Sequence, residues 1–337
     1  MKIAVLGCGA IGSLFLGYLS GMGQKVVGVV KEYQKDALLN EGLTIESKEG
    51  SVTVKVKADT VLREKVDLAI FATKINDLEE VIKANKQALE GAFILTTQNG
   101  LAAENILGEY FPKEKIITGI VMFGATFYPP NKVVHNFGNK LIIGDVFSDS
   151  EEVNQEILLP LSDVFEVVKI NNIKGAKYLK LFINLNNCLP AIIGKSMQDT
   201  YSDLELAKLA IRLNQEAYSL VDKCNIQIQS LPNYPKERLQ GFVSMPLNEA
   251  ASLLSQTMAN LSKEPLYGSI LQSIKRERRS EIDYINGEVV KLAENNNFQA
   301  PLNKKIVQMV HAVEDRKEFF SKEDLLSQTE EVMNYER

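Results

Sequence analysis

Few residues of this chain are of the kinds that build disulfides or metal centres. Three cysteines and two histidines occur in 337 residues, and tryptophan is absent. Cys8, Cys188 and Cys224 are odd in number, far apart and without the spacing of metal ligands. The sequence therefore predicts neither a disulfide framework nor a metal site, and a reducing cytoplasm is the simplest location.

Long apolar runs and an excess of positive charge are missing as well. No run reaches the ~18 residues of a membrane span, and the short apolar start does not resemble a signal peptide. The net charge of −5 argues against a general nucleic-acid binder. A hydrophobic content of 45% indicates a globular protein, and the length favours two domains. We expect neither a membrane nor a nucleic acid among its partners.

One motif stands out against this background, GCGAIG at residues 7–12. It follows a run of strand-forming residues and precedes an apolar helical stretch, which is the context in which G-x-G-x-x-G binds a dinucleotide. Gly7 would permit the tight turn, Gly9 the approach of a pyrophosphate, and Gly12 close packing of the helix on the strand. The helix N-terminus would offer N–H donors to the phosphates. The alternative is a turn that binds nothing.

The end of the second predicted strand, residues 26–30, bears on the choice of cofactor. Lys31 follows that strand directly, with Lys35 four residues on. An acidic residue here reads the ribose 2′-hydroxyl of NAD, whereas a cation pairs with the 2′-phosphate of NADP. Lys31 therefore favours NADP, although Glu32 lies beside it, and an ordinary surface lysine is the alternative.

Strand and helix patterns alternate through the first half of the chain. Residues 43–47 and 52–56 predict a hairpin at a sheet edge, and residues 77–89 predict a helix. Further strands are expected at residues 66–73, 92–97, 116–123 and within 127–144. This alternation predicts an α/β fold, a Rossmann-like doubly wound sheet with helices on both faces.

Two polar residues follow the central strands of this predicted sheet. Lys74 stands at the end of strand 66–73, and Asn99 follows strand 92–97. Ligands of open α/β sheets bind outside the carboxyl ends of the strands. Both residues are therefore candidates for contact with a cofactor, and Asn99 also with a substrate. The alternatives are a lysine that solvates the strand end and a plain Asn-Gly turn.

Strand patterns stop near Asn172, and the rest of the chain is expected to be helical. Periodic apolar runs occur at residues 174–189, 204–225, 247–261, 281–293 and 304–313. We therefore predict an NADP-binding domain at residues 1–170 and an all-helical substrate domain at residues 171–337. A helical domain behind a dinucleotide fold usually supplies the substrate side of a cleft.

One of these helical runs carries polar residues on an apolar background. Lys180, Asn184 and Cys188 are spaced i, i+4 and i+8, so a single regular helix would place them on one face. A lysine on a buried helix is costly unless it is paired or lines a cavity. Lys180 is thus a candidate proton donor or substrate anchor, and a lysine that reaches to solvent is the alternative.

A second polar stretch runs from Ser269 to Glu281. Ser280 predicts an N-cap and Glu281 the first turn of a new helix, where the dipole favours a carboxylate. Residues 275–279 are all charged and are expected to be exposed. On one straight helix Ser269 and Glu281 would lie ~18 Å apart, so the chain must break between them if both touch one small substrate. The alternative for Glu281 is a helix-start carboxylate without chemistry.

Together these motifs resemble the ketopantoate reductase (2-dehydropantoate 2-reductase) family. MKIAVLGCGAIG at the N-terminus, FATK at Lys74, QNG at Asn99, YLKLFIN with Lys180 and RSEIDYING with Glu281 occur in the family's order and spacing. RSEIDYING is the most specific of them. The resemblance implies an enzyme that reduces ketopantoate to pantoate with NADPH, for pantothenate and coenzyme A biosynthesis. Members of this family are often homodimers.

The resemblance also implies roles for individual residues. Lys180 would be the general acid that protonates the keto oxygen as hydride arrives, and Glu281 would orient it. The positions that would hold NADPH are Gly7, Cys8, Gly9, Ala10, Ile11, Gly12, Lys31, Lys74, Asn99 and Ala125. The positions that would contact the substrate are Asn99, Lys180, Asn184, Cys188, Ser269 and Glu281.

Two substrate-side positions depart from the family pattern. One helical turn after Asn184 the family usually has an asparagine followed by proline, where this chain has Cys188 and Leu189. Three residues before Ser269 another asparagine is common, where this chain has Leu266. A pocket without these amides would select less strongly for a hydroxyl. A reductase of a different, more apolar 2-oxo acid is the first alternative, and a non-catalytic NADP-binding regulatory protein is the second.

Overall fold

The computed structural model describes residues 1–147, 155–260, 262 and 264–334. The chain divides into two units, Met1–Ile173 and Lys174–Arg337. The described strands all belong to the first unit, and the described part of the second is helical apart from loops and one isolated bridge. The predicted α/β fold with a helical C-terminal half is confirmed.

The first unit is built on one sheet of ten described strands. The strands are β1 (Lys2–Leu6), β2 (Lys25–Val29), β3 (Leu43–Ser47), β4 (Gly50–Val54), β5 (Lys57–Asp59), β6 (Leu68–Phe71), β7 (Phe93–Thr96), β8 (Ile116–Tyr128), β9 (Lys132–Gly144) and β10 (Glu166–Lys169). Their order is β4-β3-β9-β8-β7-β6-β1-β2-β5, with β10 beside β9. The strands from β8 to β5 in this order are all parallel. Every residue of β6 is buried, as expected for a parallel strand covered on both faces.

Two antiparallel hairpins extend the parallel strands. β3 pairs with β4, and β4 lies at the end of the sheet, which confirms the predicted edge hairpin. β8 pairs with β9 across a turn that contains Pro129 and Pro130. A register shift near Gly124 lets β8 run on to Tyr128, beyond the expected end of this strand at Phe123.

Helices cover the sheet, and aromatic packing fixes the first of them. The helices of the first unit are α1 (Ala10–Gly21), α2 (Glu32–Asn40), α3 (Leu78–Leu89), α4 (Ala103–Gly108) and α5 (Gln155–Ser162). Phe15 of α1 is fully buried, and its ring centroid lies 6.1 Å from that of Phe123 and 4.8 Å from that of Phe165. Burial of one such side chain contributes about 1.5–3 kcal/mol. This packing holds α1, and with it the glycine turn, on the strands.

The second unit consists of helices joined by short loops. Its helices are α6 (Ile173–Leu185), α7 (Cys188–Ile193), α8 (Met197–Tyr201), α9 (Leu204–Lys223), α10 (Lys236–Ser244), α11 (Leu247–Ala259), α12 (Ser269–Lys275), α13 (Asn286–Asn295), α14 (Pro301–Arg316) and α15 (Lys322–Asn334). The predicted runs 204–225, 247–261 and 304–313 correspond to α9, α11 and α14, and Leu261 lies outside the described residues. α8 and α12 are too short to show the helical period in the sequence.

The predicted single helix at residues 174–189 is wrong, because the chain breaks at Asn186. α6 ends at Leu185 and α7 begins at Cys188. The Asn186 carbonyl oxygen accepts a hydrogen bond from the Tyr201 hydroxyl, and its Oδ1 accepts from Asn214 Nδ2 at 2.9 Å. Pro190, four residues on, has no N–H to donate to this carbonyl oxygen, so a regular helix cannot continue through Asn186, and Tyr201 and Asn214 bond its polar atoms instead.

A carboxylate from α9 holds the start of α14. Ala300, which precedes this helix, has no side-chain oxygen, and Pro301 has no N–H to donate. Glu216 of α9 accepts from the backbone N–H groups of Leu302 and Asn303, at 2.9 and 2.8 Å, and from Asn303 Nδ2 at 2.8 Å. A negative charge at a helix N-terminus is stabilised by the helix dipole. Glu216 therefore fixes the position of α14 on α9.

Two structural features are absent from the described residues. None of the helices there combines the length and the hydropathy that a membrane crossing needs. In the same residues, histidine, cysteine and carboxylate side chains do not come together in a group of three or more that could hold a metal ion.

Candidate active site

The GCGAIG motif forms the turn between β1 and α1. Gly7 has a φ of +90°, a conformation that favours glycine, and a Cβ there would lie 2.7 Å from backbone atoms of Thr73. A Cβ on Gly12 would lie 2.1 Å from the carbonyl oxygen of Gly7. The tight turn requires glycine at position 7, and the close packing of α1 on the strand end requires it at position 12.

The space in front of Gly9 is open. A Cβ built on Gly9 would meet no described atom within 4 Å. The N–H groups of Ala10, Ile11 and Gly12 come first in the 12-residue helix α1 and so have no partner within it, and its first turn contains no acidic residue. Open backbone at a helix N-terminus fits the approach of a pyrophosphate, so these residues suit a dinucleotide.

Cys8 stabilises this turn through its backbone. Its thiol is buried and donates to the Val5 carbonyl oxygen at 3.7 Å, and burial raises the pKa of the thiol to about 12. Its carbonyl oxygen accepts from Ser13 Oγ at 3.1 Å and from Gln34 Nε2 at 3.0 Å. These two bonds tie the turn to α1 and α2. A buried neutral thiol of this kind is unreactive.

Lys31 lies just beyond the carboxyl end of β2, before the first residue of α2. Its backbone N–H donates to Gln34 Oε1 at 3.2 Å, and its side chain is exposed, as is that of Glu32. Within the described residues no carboxylate lies at ion-pair distance from Lys31, whereas Lys35 pairs with Asp59 at 2.9 Å. Lys31, rather than Lys35, is therefore open to a phosphate.

Lys74, Asn99 and Ala125 follow or end three neighbouring parallel strands. Lys74 comes after β6, Asn99 comes after β7, and Ala125 lies near the carboxyl end of β8. All three side chains are half-buried. Lys74 and Asn99 thus lie at the edge of the sheet where open α/β sheets bind their ligands, whereas Ala125 lies beyond Thr118, the last residue of β8 that pairs with β7, and opposite His135 of β9.

Gln98 joins two of these strand ends, and the sequence pattern offers little signal for it. This residue is buried, and its Nε2 lies 3.4 Å from the Thr73 carbonyl oxygen and 3.3 Å from Thr73 Oγ1. Its Oε1 accepts a hydrogen bond from Thr96. Gln98, which directly precedes Asn99, therefore holds Thr73, the residue before Lys74, against the end of β7. Its place at the start of QNG is the signal that could have identified it.

Helix α6 carries Lys180 and Asn184 one turn apart. Both side chains are half-buried, and the adjacent Leu181 and Phe182 are buried in the core. The spacing i, i+4 places Lys180 and Asn184 on the same face. Burial lowers the pKa of Lys180 from its ordinary value. An ammonium with a lowered pKa gives up its proton more readily, which suits a proton donor.

Cys188 lies on α7, so the expected single helix through Lys180 and Cys188 is wrong. Its side chain is fully buried, and its thiol donates to the Leu185 carbonyl oxygen at 3.0 Å. Asn286 Nδ2 lies 3.8 Å from its Sγ, and burial raises the pKa of the thiol to about 12. These contacts favour a core position for Cys188 over the predicted contact with a substrate.

Ser269 begins α12, and the chain breaks after this helix as predicted. α12 ends at Lys275, and residues 275–279 are exposed, which was also predicted. Gln198 of α8, which the sequence does not single out, holds the loop before Ser269. Its Oε1 accepts from the Leu266 N–H at 2.9 Å, and its Nε2 donates to carbonyl oxygens of the same loop.

Glu281 does not begin an α-helix, so the predicted helix start at this residue is wrong. Ile282–Tyr284 form a single 3-10 turn, and α13 begins at Asn286. The backbone at Ile285, with φ −122° and ψ −90°, separates the two. Glu281 is 5% exposed. A carboxylate buried to this degree in a turn is more typical of a functional site than of a solvated helix start.

A charged cluster, formed by His311, Asp283, Glu314 and Arg279, ties this turn to α14. His311 of α14 lies 2.9 Å from Asp283 through Nε2 and 3.0 Å from Glu314 through Nδ1. Arg279 Nη1 donates to Glu314 Oε2 at 2.9 Å. Burial tends to lower the pKa of His311, but the two carboxylates outweigh it and raise that pKa.

The same cluster holds the backbone just before Glu281. Glu314 accepts from the Ser280 N–H at 2.7 Å. Burial tends to raise the pKa of Glu314, but hydrogen bonds from Arg279, Ser280 and His311 outweigh it and lower that pKa. The cluster therefore positions the segment that carries Glu281. The sequence does not predict this charged cluster, because a histidine three residues before a glutamate is a common pattern.

Replacing His311 by glutamine is expected to destabilise the protein more in acid than in alkali. A raised pKa in the folded state means that protonated His311 stabilises the fold below the unfolded value of about 6.5, and this contribution is lost as pH rises through the folded pKa. We expect a loss on the order of 1 kcal/mol near pH ~5.5 and a smaller loss near pH ~8.5, measured by urea unfolding. Equal losses at both pH values would contradict the charge interaction.

Comparisons with known proteins follow the same division of the chain. Residues 3–147 match the family described as ketopantoate reductase PanE/ApbA, and residues 172–314 match the family described as its C-terminal part. A 2-dehydropantoate 2-reductase of Pyrococcus abyssi is 29% identical over 309 residues, which cover 90% of this chain and 94% of that protein.

Solved structures share the fold over almost the whole chain. A PanE/ApbA family ketopantoate reductase from Ralstonia eutropha is 22% identical with a TM-score of 0.79, over 94% of this chain and 99% of that one. A ternary structure of D-mandelate dehydrogenase with NADH and anilino(oxo)acetate is 24% identical with a TM-score of 0.80, over the same shares of the two chains, 94% and 99%.

Proposed function

Since this chain belongs to the ketopantoate reductase PanE/ApbA family and is thus an oxidoreductase, we propose that it reduces 2-dehydropantoate (ketopantoate) to pantoate with NADPH. This reaction would serve pantothenate and coenzyme A biosynthesis. The observation that carries the proposal is Lys180, a half-buried lysine with a lowered pKa, one helical turn from Asn184. A regulatory protein that only binds NADP would not need such a group.

The first unit would hold the dinucleotide along its sheet edge. The open backbone at Gly9 and the N–H groups at the start of α1 receive the pyrophosphate. Lys31 pairs with the 2′-phosphate, and Lys74, Asn99 and Ala125 line the remainder of the site. When bound, the nicotinamide supplies the hydride that reduces the keto carbon.

The second unit would supply the proton. The Lys180 ammonium donates a hydrogen bond to the keto oxygen, stabilises the negative charge that develops there and transfers its proton to that oxygen. Asn184 and Ser269 bind the hydroxyl and carboxylate of the substrate. Glu281 orients Lys180. The charged cluster at His311 supports this role by holding the turn that carries Glu281.

A different, more apolar 2-oxo acid is the second candidate substrate. Cys188 and Leu266 favour it, because they stand where asparagines are usual in the family. The similarity of fold to D-mandelate dehydrogenase is consistent with such a substrate, since mandelate carries an aromatic ring. The two candidates differ in the hydroxyl group of ketopantoate, which a site built for it selects strongly.

The test is the oxidation of NADPH, followed by absorbance, with ketopantoate as substrate. A panel of other 2-oxo acids runs beside it, with NADH as the control for the cofactor. Rapid turnover of ketopantoate supports the proposal. Turnover of apolar 2-oxo acids without turnover of ketopantoate would replace it with the second candidate. Tight binding of NADPH without any turnover would contradict the assignment of an active acid at Lys180.

Replacing Lys31 by alanine is expected to weaken NADPH binding much more than NADH binding. Loss of one partly exposed charge pair with a phosphate should raise the Kd for NADPH by about tenfold, while the Kd for NADH changes by less than about threefold. Fluorescence titration with each nucleotide measures both values. Lys35→Ala is the matched control, because Lys35 is already paired with Asp59. Equal loss for both nucleotides would show that Lys31 does not read the 2′-phosphate.

The homodimer and the cytoplasmic location stay predictions. Size-exclusion chromatography with light scattering would test the first. Fractionation of cells that produce the protein would test the second.

A further inference from the structure

The break between α6 and α7 leaves one asparagine side chain unused by the fold. Asn186 is bound into the scaffold through Tyr201 and Asn214. The next residue, Asn187, uses its backbone N–H, which donates to the Asn184 carbonyl oxygen at 2.9 Å. Its side-chain amide is half-buried and makes no hydrogen bond within the described part of the chain. Asn187 is thus available to a ligand, whereas Asn186 is not.

Gly268 brings this amide to the start of α12. A Cβ on Gly268 would lie 2.7 Å from Asn187 Oδ1, so any larger residue there would have to displace the amide. The φ of Gly268 is −63°, which any residue can adopt, so the requirement comes from space alone. Ser269 follows directly, and its half-buried hydroxyl also makes no hydrogen bond to the residues that the structure describes.

We propose that Asn187, rather than Cys188, is the second asparagine of the substrate site, and that it binds the hydroxyl group of the 2-oxo acid together with Asn184. This inference rests on the proposed function. A neutral amide both donates and accepts, as a hydroxyl does, whereas a carboxylate is matched better by a cation.

If Asn187 supplies the amide, Cys188 does not mark the loss of a polar group from the substrate site. On an unbroken helix Asn187 would point about 100° away from Cys188. Here the Asn187 N–H bonds the Asn184 carbonyl oxygen three residues back, the tighter 3-10 spacing that brings residues i and i+3 to one face. Asn187 therefore turns towards the face of Asn184 and lies beside Gly268, while the thiol of Cys188 packs in the core. The amide is therefore moved by one residue rather than lost. A site that keeps it favours a hydroxylated 2-oxo acid such as ketopantoate over an apolar one.

The test compares two substrates that differ by the hydroxyl. They are ketopantoate and 3,3-dimethyl-2-oxobutanoate, in which a hydrogen replaces that hydroxyl. Steady-state kcat and KM are measured with NADPH for the wild type and for Asn187→Ala. We expect kcat/KM for ketopantoate to fall by about tenfold or more, mainly through KM, and kcat/KM for the deoxy acid to change by less than about threefold.

A second variant displaces the amide without removing it. In Gly268→Ala the added Cβ would push Asn187 away, so the same selective loss for ketopantoate is expected. Thermal unfolding and the Kd for NADPH should stay close to wild-type values in Asn187→Ala, because the amide makes no bond within the described residues. Selective loss in either variant, with the fold intact, supports the inference.

Three results would overturn it. Equal losses for both substrates would show that Asn187 has only a structural role, while the proposed function would stand. No effect of Asn187→Ala on ketopantoate turnover would show that the hydroxyl is bound elsewhere, and again the proposed function would stand. If the wild type reduces neither substrate, the proposed function fails, and this inference fails with it.

Discussion

Replacing Lys180 by alanine is expected to lower kcat by about 10²- to 10⁴-fold, the usual effect of removing a general acid. Without Lys180, the keto oxygen would develop its negative charge with no ammonium group beside it to stabilise the charge or donate a proton. Binding of NADPH should be nearly unchanged, because the glycine turn lies in the first unit and Lys180 in the second. Stopped-flow measurement of a single turnover and fluorescence titration of NADPH separate the two effects.

Matched variants on the same helix sharpen this test. Lys174 is exposed in the first turn of α6, so Lys174→Ala should keep wild-type turnover. Lys180→Arg keeps a positive charge but holds its proton too tightly to donate it, and should remain slow. In the wild type, kcat should fall as pH rises through the lowered pKa of Lys180, because the acid must be protonated. Near-normal kcat in Lys180→Ala would end the general-acid assignment.

Replacing Gly12 by alanine is expected to damage both the fold and cofactor binding. The new Cβ would lie 2.1 Å from the Gly7 carbonyl oxygen, so α1 must move away from the strand end. Overpacking of this kind costs about 1–3 kcal/mol, which for a unit of this size lowers Tm by about 2–10 °C. The displaced turn should also weaken NADPH by at least about tenfold. Calorimetry and nucleotide titration measure the two quantities.

Gly9→Ala is the control that separates the two roles of the turn. Its Cβ would meet no described atom within 4 Å, so Tm without cofactor should be close to that of the wild type. The same methyl group would stand where the pyrophosphate approaches, so NADPH binding should still be weakened. If Gly9→Ala binds NADPH as well as the wild type does, the pyrophosphate does not pass over Gly9.

The first unit could be predicted largely from the sequence because its signals are local. GCGAIG requires a particular turn, the buried strands are continuous apolar runs, and Lys31, Lys74 and Asn99 follow strand ends directly. Parallel strands then bring those ends to one edge whatever the details of packing. Gln98 escaped prediction because its role depends on Thr73, which is distant in the sequence.

The helical unit was harder to predict because tertiary contacts override its local periodicity. The apolar pattern runs on through Cys188, but α6 ends at Leu185, because Pro190 has no N–H for the Asn186 carbonyl oxygen and Tyr201 bonds that oxygen instead. Pro190 was thus a local signal for this break. Ser280 and Glu281 are typical of a helix start, but Glu314 of α14 holds this segment in another conformation. That partner lies many residues away, so no local pattern reports it.

The carboxylate of Glu216 belongs to a series of linked hydrogen bonds that also limits how this part of the sequence can evolve. Glu216 orients the amide of Asn303, whose Oδ1 therefore faces Asn286 Nδ2 at 2.9 Å, and Asn286 follows the turn that carries Glu281. Loss of Asn286 would leave the Oδ1 of Asn303 unbonded, and loss of Glu216 would remove the partner of the Leu302 and Asn303 N–H groups, each at about 1–3 kcal/mol. We therefore expect Glu216, Asn286 and Asn303 to change together rather than singly among related sequences, although none of them meets the substrate in the proposed reaction.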